Sequence, residues 1–202
     1  MSTIDFWYDL ASPYAYLAAM RIERAAADCG VTVNWRPLLM GGLRREIGVP
    51  VDSHGALFDH KTRYMHRDMK RLCNSYGLGY IVPEPFPQNS LLAARVMYTA
   101  AGTLQRAALS RHIFDREFGA GHPISTAEDL AVALKEFGLE PESILAEATT
   151  DAVKEKLKAE TAEAARLGIF GVPTFALPDG EIFWGHDRLE WALDWACGKG
   201  RL

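Results

Sequence analysis

Asp5-Phe6-Trp7-Tyr8-Asp9-Leu10-Ala11-Ser12-Pro13-Tyr14-Ala15-Tyr16-Leu17 is the stretch around which the chain is organised. Residues 3–8 are rich in apolar and aromatic side chains and predict a strand, which breaks at Leu10-Ala11. A helix over 13–29 follows. Ser12 suits its N-cap, and Pro13 suits the first helical position, where a missing N–H costs nothing. The start of a helix presents free amides and the positive end of the macrodipole, so an anion beside Ser12 is favoured. Taken alone, the stretch reads as a capped helix after a strand, with no chemistry.

Leu17, Met20, Ile22 and several alanines give the 13–29 helix a packing surface, Arg21, Glu23 and Arg24 a wetter side, and Gly30 a stop. Residues 31–36 (Val-Thr-Val-Asn-Trp-Arg) alternate with period two, as a strand does, and Pro37 ends them. The first forty residues are therefore expected to make a β-α-β unit with parallel strands and a right-handed crossover. After Met40-Gly41-Gly42 the pattern changes. A loop around Gly48-Val49-Pro50 leads into a long helix over about 55–76, and Pro83, Pro85 and Pro87 then exclude regular helix.

Further helices are expected from Asn89 or Ser90 to Gly102, and over 104–118 up to Gly119. Others follow from a Ser125/Glu128 capping box to Phe137, from Pro141, and over 151–167. No convincing strand lies between 55 and 168. The strands return in the tail as 172–177 and 181–184, joined by the turn Pro178-Asp179-Gly180, and a last helix spans 187–197. The expected fold is α/β: one domain of residues 1–45 and 165–202, interrupted by an all-helical insertion over 46–164.

A chain of 202 residues, 49% hydrophobic and 24% charged, can build a real core. Its net charge of −4 offers no basic surface for nucleic acid or anionic lipid. No stretch approaches a membrane span, the N-terminus lacks the pattern of a secretory signal, and the cytoplasm is the expected location. Cys29, Cys73 and Cys197 are widely spaced, form neither a CxxC pair nor a zinc pattern, and suit a reducing compartment. No metal site is expected, since His54, His60 and His66 lack the spacing of one helical face, and no glycine-rich nucleotide loop follows the first strand.

Four places can carry chemistry. Besides the Ser12 turn, Gly171-Val172-Pro173-Thr174 is either a plain strand edge or a cis Val172–Pro173 bond, which would present the Val172 backbone to a peptide-like ligand. Asp187, in Gly185-His186-Asp187-Arg188, is expected to N-cap the last helix, and a capping carboxylate can also take a ligand's ammonium. Lys61, Tyr64 and Asp68 share one helix face, either as a solvated surface or turned toward a site.

Together these motifs resemble, over nearly the whole chain, the thioredoxin-fold family of 2-hydroxychromene-2-carboxylate isomerases and kappa-class glutathione transferases, relatives of the DsbA-like oxidoreductases. The resemblance rests on D-F-W-Y-D-L-A-S-P-Y-A-Y-L at 5–17, K-x-x-Y-x-x-x-D at 61–68, F-G-V-P-T-F at 170–175 and W-G-H-D-R-L at 184–189. It implies a thioredoxin-like domain with a large helical insertion. Redox members carry C-P-x-C where this chain has Ser12-Pro13-Tyr14-Ala15, so dithiol exchange there is excluded.

The resemblance implies glutathione as cofactor, its thiolate held by Ser12 at the helix start together with Pro13 and Tyr14. Val172, before Pro173, would pair with its cysteinyl part, and His186 and Asp187 would hold its γ-glutamyl end. Lys61 would face the glycyl carboxylate or a substrate acid group, and Trp7, Tyr8, Tyr14 and Tyr64 are candidate aromatic walls. The implied reaction interconverts 2-hydroxychromene-2-carboxylate and trans-o-hydroxybenzylidenepyruvate by thiolate addition, bond rotation and elimination, in a homodimer. Kappa-like transfer or peroxidase activity on other electrophiles, or a non-catalytic glutathione- or thiol-binding module, are the alternatives. One departure is Val49, where the family often has asparagine.

Overall fold

Strand β1 (Thr3–Tyr8) sits inside a four-stranded mixed sheet of order β2-β1-β3-β4. It pairs in parallel with β2 (Thr32–Pro37), from Thr3 opposite Thr32 to Tyr8 opposite Pro37. On its other edge it runs antiparallel to β3 (Thr174–Ala176), with Phe6 opposite Phe175, and β3 pairs antiparallel with β4 (Ile182–Trp184). The computed structural model describes residues 2–49 and 56–199.

The sheet is covered on both faces, which explains why β1 loses its alternation toward its end. Ile4, Phe6 and Tyr8 join the main core with α1 (Pro13–Cys29) and α10 (Leu189–Ala196). Trp7 points the other way, into a smaller core with Leu38, Leu43, Ala164 and Ile169. Leu43 comes from α2 (Met40–Glu46) and Ala164 from α9 (Asp151–Arg166). Trp7 and Tyr8 are therefore packing residues with no exposed surface, not aromatic walls of a site. Trp35 stands edge-on to both Phe6 and Tyr8, and such pairs add about 0.5–1.5 kcal/mol each beyond area burial.

Between the two halves of the sheet lie α3 (Ala56–Tyr76), α4 (Leu91–Val96), α5 (Ala100–Leu104), α6 (Arg106–Phe114), α7 (Ala127–Glu136) and α8 (Pro141–Ala148). A π turn, Asp115–Gly119, extends α6. No strand occurs among the described residues between 38 and 173. None of the described helices is long and apolar enough to cross a membrane.

One helix is not predicted by the sequence pattern, and three local expectations need correction. Residues 40–46 form a helix despite two glycines, because Gly42 lets α2 approach α9, where an added Cβ would lie 3.2 Å from Thr161 Cγ2. The expected 90–102 helix is two short ones: Gly102 lies inside α5, packed so closely that a Cβ would overlap the Val96 carbonyl. The capping box is Thr126 with Asp129, one residue later than expected, because Ser125 bonds Gln88 and the Asn89 amide instead. The last helix starts only at Leu189, after a 3-10 turn over His186–Arg188, and Asp187 does not cap it, since its Oδ2 accepts from Arg188 at 2.9 Å.

Candidate functional site

Ser12 caps α1 from an extended conformation (φ −99°, ψ 114°), and its Oγ accepts the Ala15 N–H at 3.3 Å. The hydroxyl proton is not used in that bond, so Ser12 can still donate to an anion at the helix start. Pro13 holds the first helical position and is buried.

The turn carrying Ser12 is fixed from below by Asp9, a buried carboxyl. Its Oδ1 accepts from Ala11 N–H at 3.0 Å and Ser90 Oγ at 2.6 Å, and its Oδ2 from Met40 N–H at 2.8 Å. The Asp9 carbonyl also accepts the Ser12 N–H. One side chain thus ties the strand end, the start of α2 and the residue before α4 to the Ser12 turn. Burial raises the Asp9 pKa, while the bonds from Met40, Ser90 and Ala11 lower it.

Because β1 and β3 are antiparallel, the residues leaving β1 (9–12) and those entering β3 (172–173) occupy the same end of the sheet. The Val172–Pro173 peptide is cis, and the Val172 backbone makes no hydrogen bond among the described residues. The Pro173 carbonyl accepts the Gly185 N–H at 2.9 Å, which seats the 185–188 turn beside it. Gly185 needs its φ of +115°, and an added Cβ there would lie 2.5 Å from Asp187 Oδ1.

His186 is buried, stacks on Tyr14 with ring centroids 5.4 Å apart and planes 4° apart, and its Nδ1 has no hydrogen-bond partner among the described residues. Burial lowers its pKa, more than the nearby Asp187 charge raises it, which favours the neutral ring. Tyr14 Oη donates to Asp68 Oδ2 on α3 at 3.3 Å, and burial followed by the Asp68 charge pushes its pKa up to about 12. Ser12, Pro13, Tyr14, Val172, Pro173 and His186 therefore meet at one corner of the fold, with the exposed Asp187 at its rim.

Lys61 is exposed and makes no ion pair or hydrogen bond among the described residues, so no contact draws it to this corner. Asp68, two turns further along α3, is the member of that helix face that reaches it. Arg71 links Asp68 to the same surface, bonding Asp68 Oδ1 at 2.9 Å and lying over the exposed Tyr64 ring. Val49 is exposed at the end of α2.

Sequence reasoning missed Asp9 and Glu117. Asp9 is recognisable as a turn residue, but its role depends on residues 40 and 90, remote in sequence. Glu117, in the π turn, is wholly buried with neither carboxyl oxygen hydrogen-bonded among the described residues. Burial first, and then the Asp9 charge, holds its pKa well above the carboxylate range. No local signal marks a glutamate in a charged, helical stretch as buried.

A model of the DSBA-like thioredoxin domain matches residues 3–194. A 2-hydroxychromene-2-carboxylate isomerase of Pseudomonas putida is 28% identical over 196 residues, covering 97% of this chain and 94% of that protein. Human glutathione S-transferase kappa 1 is 28% identical over 204 residues, covering 93% of this chain and 88% of that protein. A solved 2-hydroxychromene-2-carboxylate isomerase structure superposes with a TM-score of 0.84 at 27% identity, covering 98% of this chain and 95% of that one.

Proposed function

The chain belongs to the DSBA-like thioredoxin domain family, and from that premise we propose that it is a glutathione-dependent isomerase in which Ser12 keeps the cofactor's sulfur ionised. The substrate class is 2-hydroxychromene-2-carboxylate and its ring-opened isomer, trans-o-hydroxybenzylidenepyruvate. Its relatives are isomerases of that substrate and kappa-class transferases, which supports a glutathione-related enzyme of this family. The observation that carries the reading is the Ser12 hydroxyl: it caps α1 where redox relatives place a thiol, and its proton is free to donate.

The corner fits a γ-glutamyl tripeptide. His186 has a buried ring nitrogen without a partner, Val172 offers an unpaired backbone N–H and carbonyl, and Asp187 offers a carboxylate at the rim. In this reading Ser12 donates to the sulfur, and the α1 amides favour its negative charge. Val172 pairs with the cysteinyl peptide. His186 accepts or donates at the γ-glutamyl end, and Asp187 takes the ammonium. Tyr14, fixed between His186 and Asp68, closes the side of the corner, and Pro13 and Pro173 shape it. Lys61, exposed on α3, is available to a substrate carboxylate. When bound, glutathione supplies a nucleophilic sulfur that adds reversibly to a conjugated double bond, lets it rotate and is released unchanged.

Lowering a thiol pKa by two to three units takes about 3–4 kcal/mol, the scale of one charge-assisted hydrogen bond plus a helix terminus. The assay supplies glutathione with either the chromene acid or an aryl halide. Rearrangement of the chromene acid at constant glutathione supports isomerisation. Consumption of glutathione with the aryl halide alone means transfer, and binding without turnover in either means a carrier module. Absence of glutathione binding would end the proposal.

A further inference from the structure

Cys29 and Cys197, 168 residues apart in sequence, meet where α1 and α10 end side by side. The Cys197 thiol donates to the Cys29 carbonyl oxygen at 3.3 Å. Burial raises the Cys197 pKa, and the neighbouring Cys29 raises it further. Both residues are half-buried, whereas Cys73 is buried. Cys29 is the last residue of α1 and Cys197 the C-cap of α10, and each is followed by a left-handed glycine (Gly30, φ 67°; Gly198, φ 68°).

The pair stands apart from the Ser12 corner. It lies at the opposite end of the 17-residue α1, about 25 Å from Ser12 at 1.5 Å per residue. Nothing in the proposed isomerisation uses it. A thiol 3.3 Å from the other cysteine's carbonyl oxygen, on the ends of two packed helices, brings the pair into the range of a disulfide, whose Cα atoms lie about 4.4–6.8 Å apart with their Cβ atoms converging.

We propose that Cys29 and Cys197 are a thiol–disulfide exchange site for oxidised glutathione, which closes them into a bridge pinning α10 to α1. One protein thiol, as its thiolate, attacks a sulfur of glutathione disulfide. The glutathione S–S bond breaks, a mixed disulfide forms, and one glutathione leaves as thiolate. The second protein thiolate then attacks the protein-side sulfur of the mixed disulfide, forming the Cys29–Cys197 bond and releasing the second glutathione. The two protons given up by the cysteines are taken up by the two glutathione thiolates. The protein loses two electrons, and the reagent gains them. The Cys197 proton must come off first or second, so exchange is faster at mildly alkaline pH.

The test incubates the folded full-length protein with excess glutathione disulfide near pH 8.5, quenches with acid, and alkylates in denaturant. Alkylatable thiols should fall from three to one, Cys73 remaining, with the intact mass lower by two hydrogens and a proteolytic peptide joining residues 29 and 197. Dithiothreitol should restore all three. Cys29→Ser and Cys197→Ser should each abolish the joined peptide. Ser12→Ala should leave the bridge unchanged, which separates this site from the proposed active site. Three free thiols after treatment, stable mixed disulfides without a joined peptide, or a joined peptide found only between two chains would each overturn the proposal.

Discussion

Glu117→Gln should flatten the pH dependence of stability as pH rises above about 4.5. Glu117 has no exposed surface, and neither oxygen has a hydrogen-bond partner among the described residues. Burial, then the nearby Asp9 charge, raises its pKa well above its ordinary 4.5. The folded protein therefore keeps a proton that the unfolded chain releases above that value. Stability from this group is full below pH 4.5 and is lost as pH rises, until the native group itself ionises. The slope across that window is about 1.4 kcal/mol per pH unit. For a chain of this size that is about 3–6 °C in Tm per unit.

Glutamine keeps the shape and removes the titration. Asp9, also raised, remains in both proteins and contributes equally. The quantity to compare is therefore the difference in slope, because an unpartnered buried amide also costs stability and shifts the whole curve. Thermal unfolding of both proteins at half-unit pH steps measures it. Parallel curves would refute the reasoning, since they would mean that Glu117 is ionised or solvated in the folded protein.

Ser90→Ala removes a buried 2.6 Å bond to Asp9 and should cost about 1–3 kcal/mol, seen as a lower urea midpoint with an unchanged m-value. Gly102→Ala drives a methyl group into the Val96 carbonyl and should cost about 3 kcal/mol or more, or prevent soluble expression. Gly185→Ala combines a φ of +115° with a Cβ 2.5 Å from Asp187 Oδ1; it should cost about 1–3 kcal/mol by urea unfolding and weaken glutathione binding by calorimetry.

The β-α-β start, the strand-free middle and the returning strands were legible because each depends on local pattern: period two in 31–36, Ser12-Pro13 at a helix start, glycines after helices. What escaped was set at a distance. Gly42 lets α2 pack closely on Thr161, and Gly102 in α5, behind its Thr99 cap, lies against the Val96 carbonyl. Asp187 follows a local rule for caps in sequence but spends its carboxylate on Arg188. At the site, Ser12, Val172 and His186 were recognisable as motif residues. Asp9 and Asp68 also stood in quoted motifs, but what each does was hidden, since their partners lie at 40, 90 and 14. The Cys29–Cys197 meeting had no sequence signal at all, because it arises from how α1 and α10 pack.

The decisive measurement is the thiol pKa of bound glutathione, read from thiolate absorbance during pH titration of the complex, in the native protein and in Ser12→Ala. The native complex should titrate two to three units below free glutathione. In the alanine variant the pKa should return by at least one unit, since one unit corresponds to about 1.4 kcal/mol, and turnover should drop about ten- to a thousand-fold, the scale of losing one such donor. A bound thiol that titrates like the free one, or a depressed value untouched by the loss of the Ser12 hydroxyl, would contradict the role assigned to the start of α1.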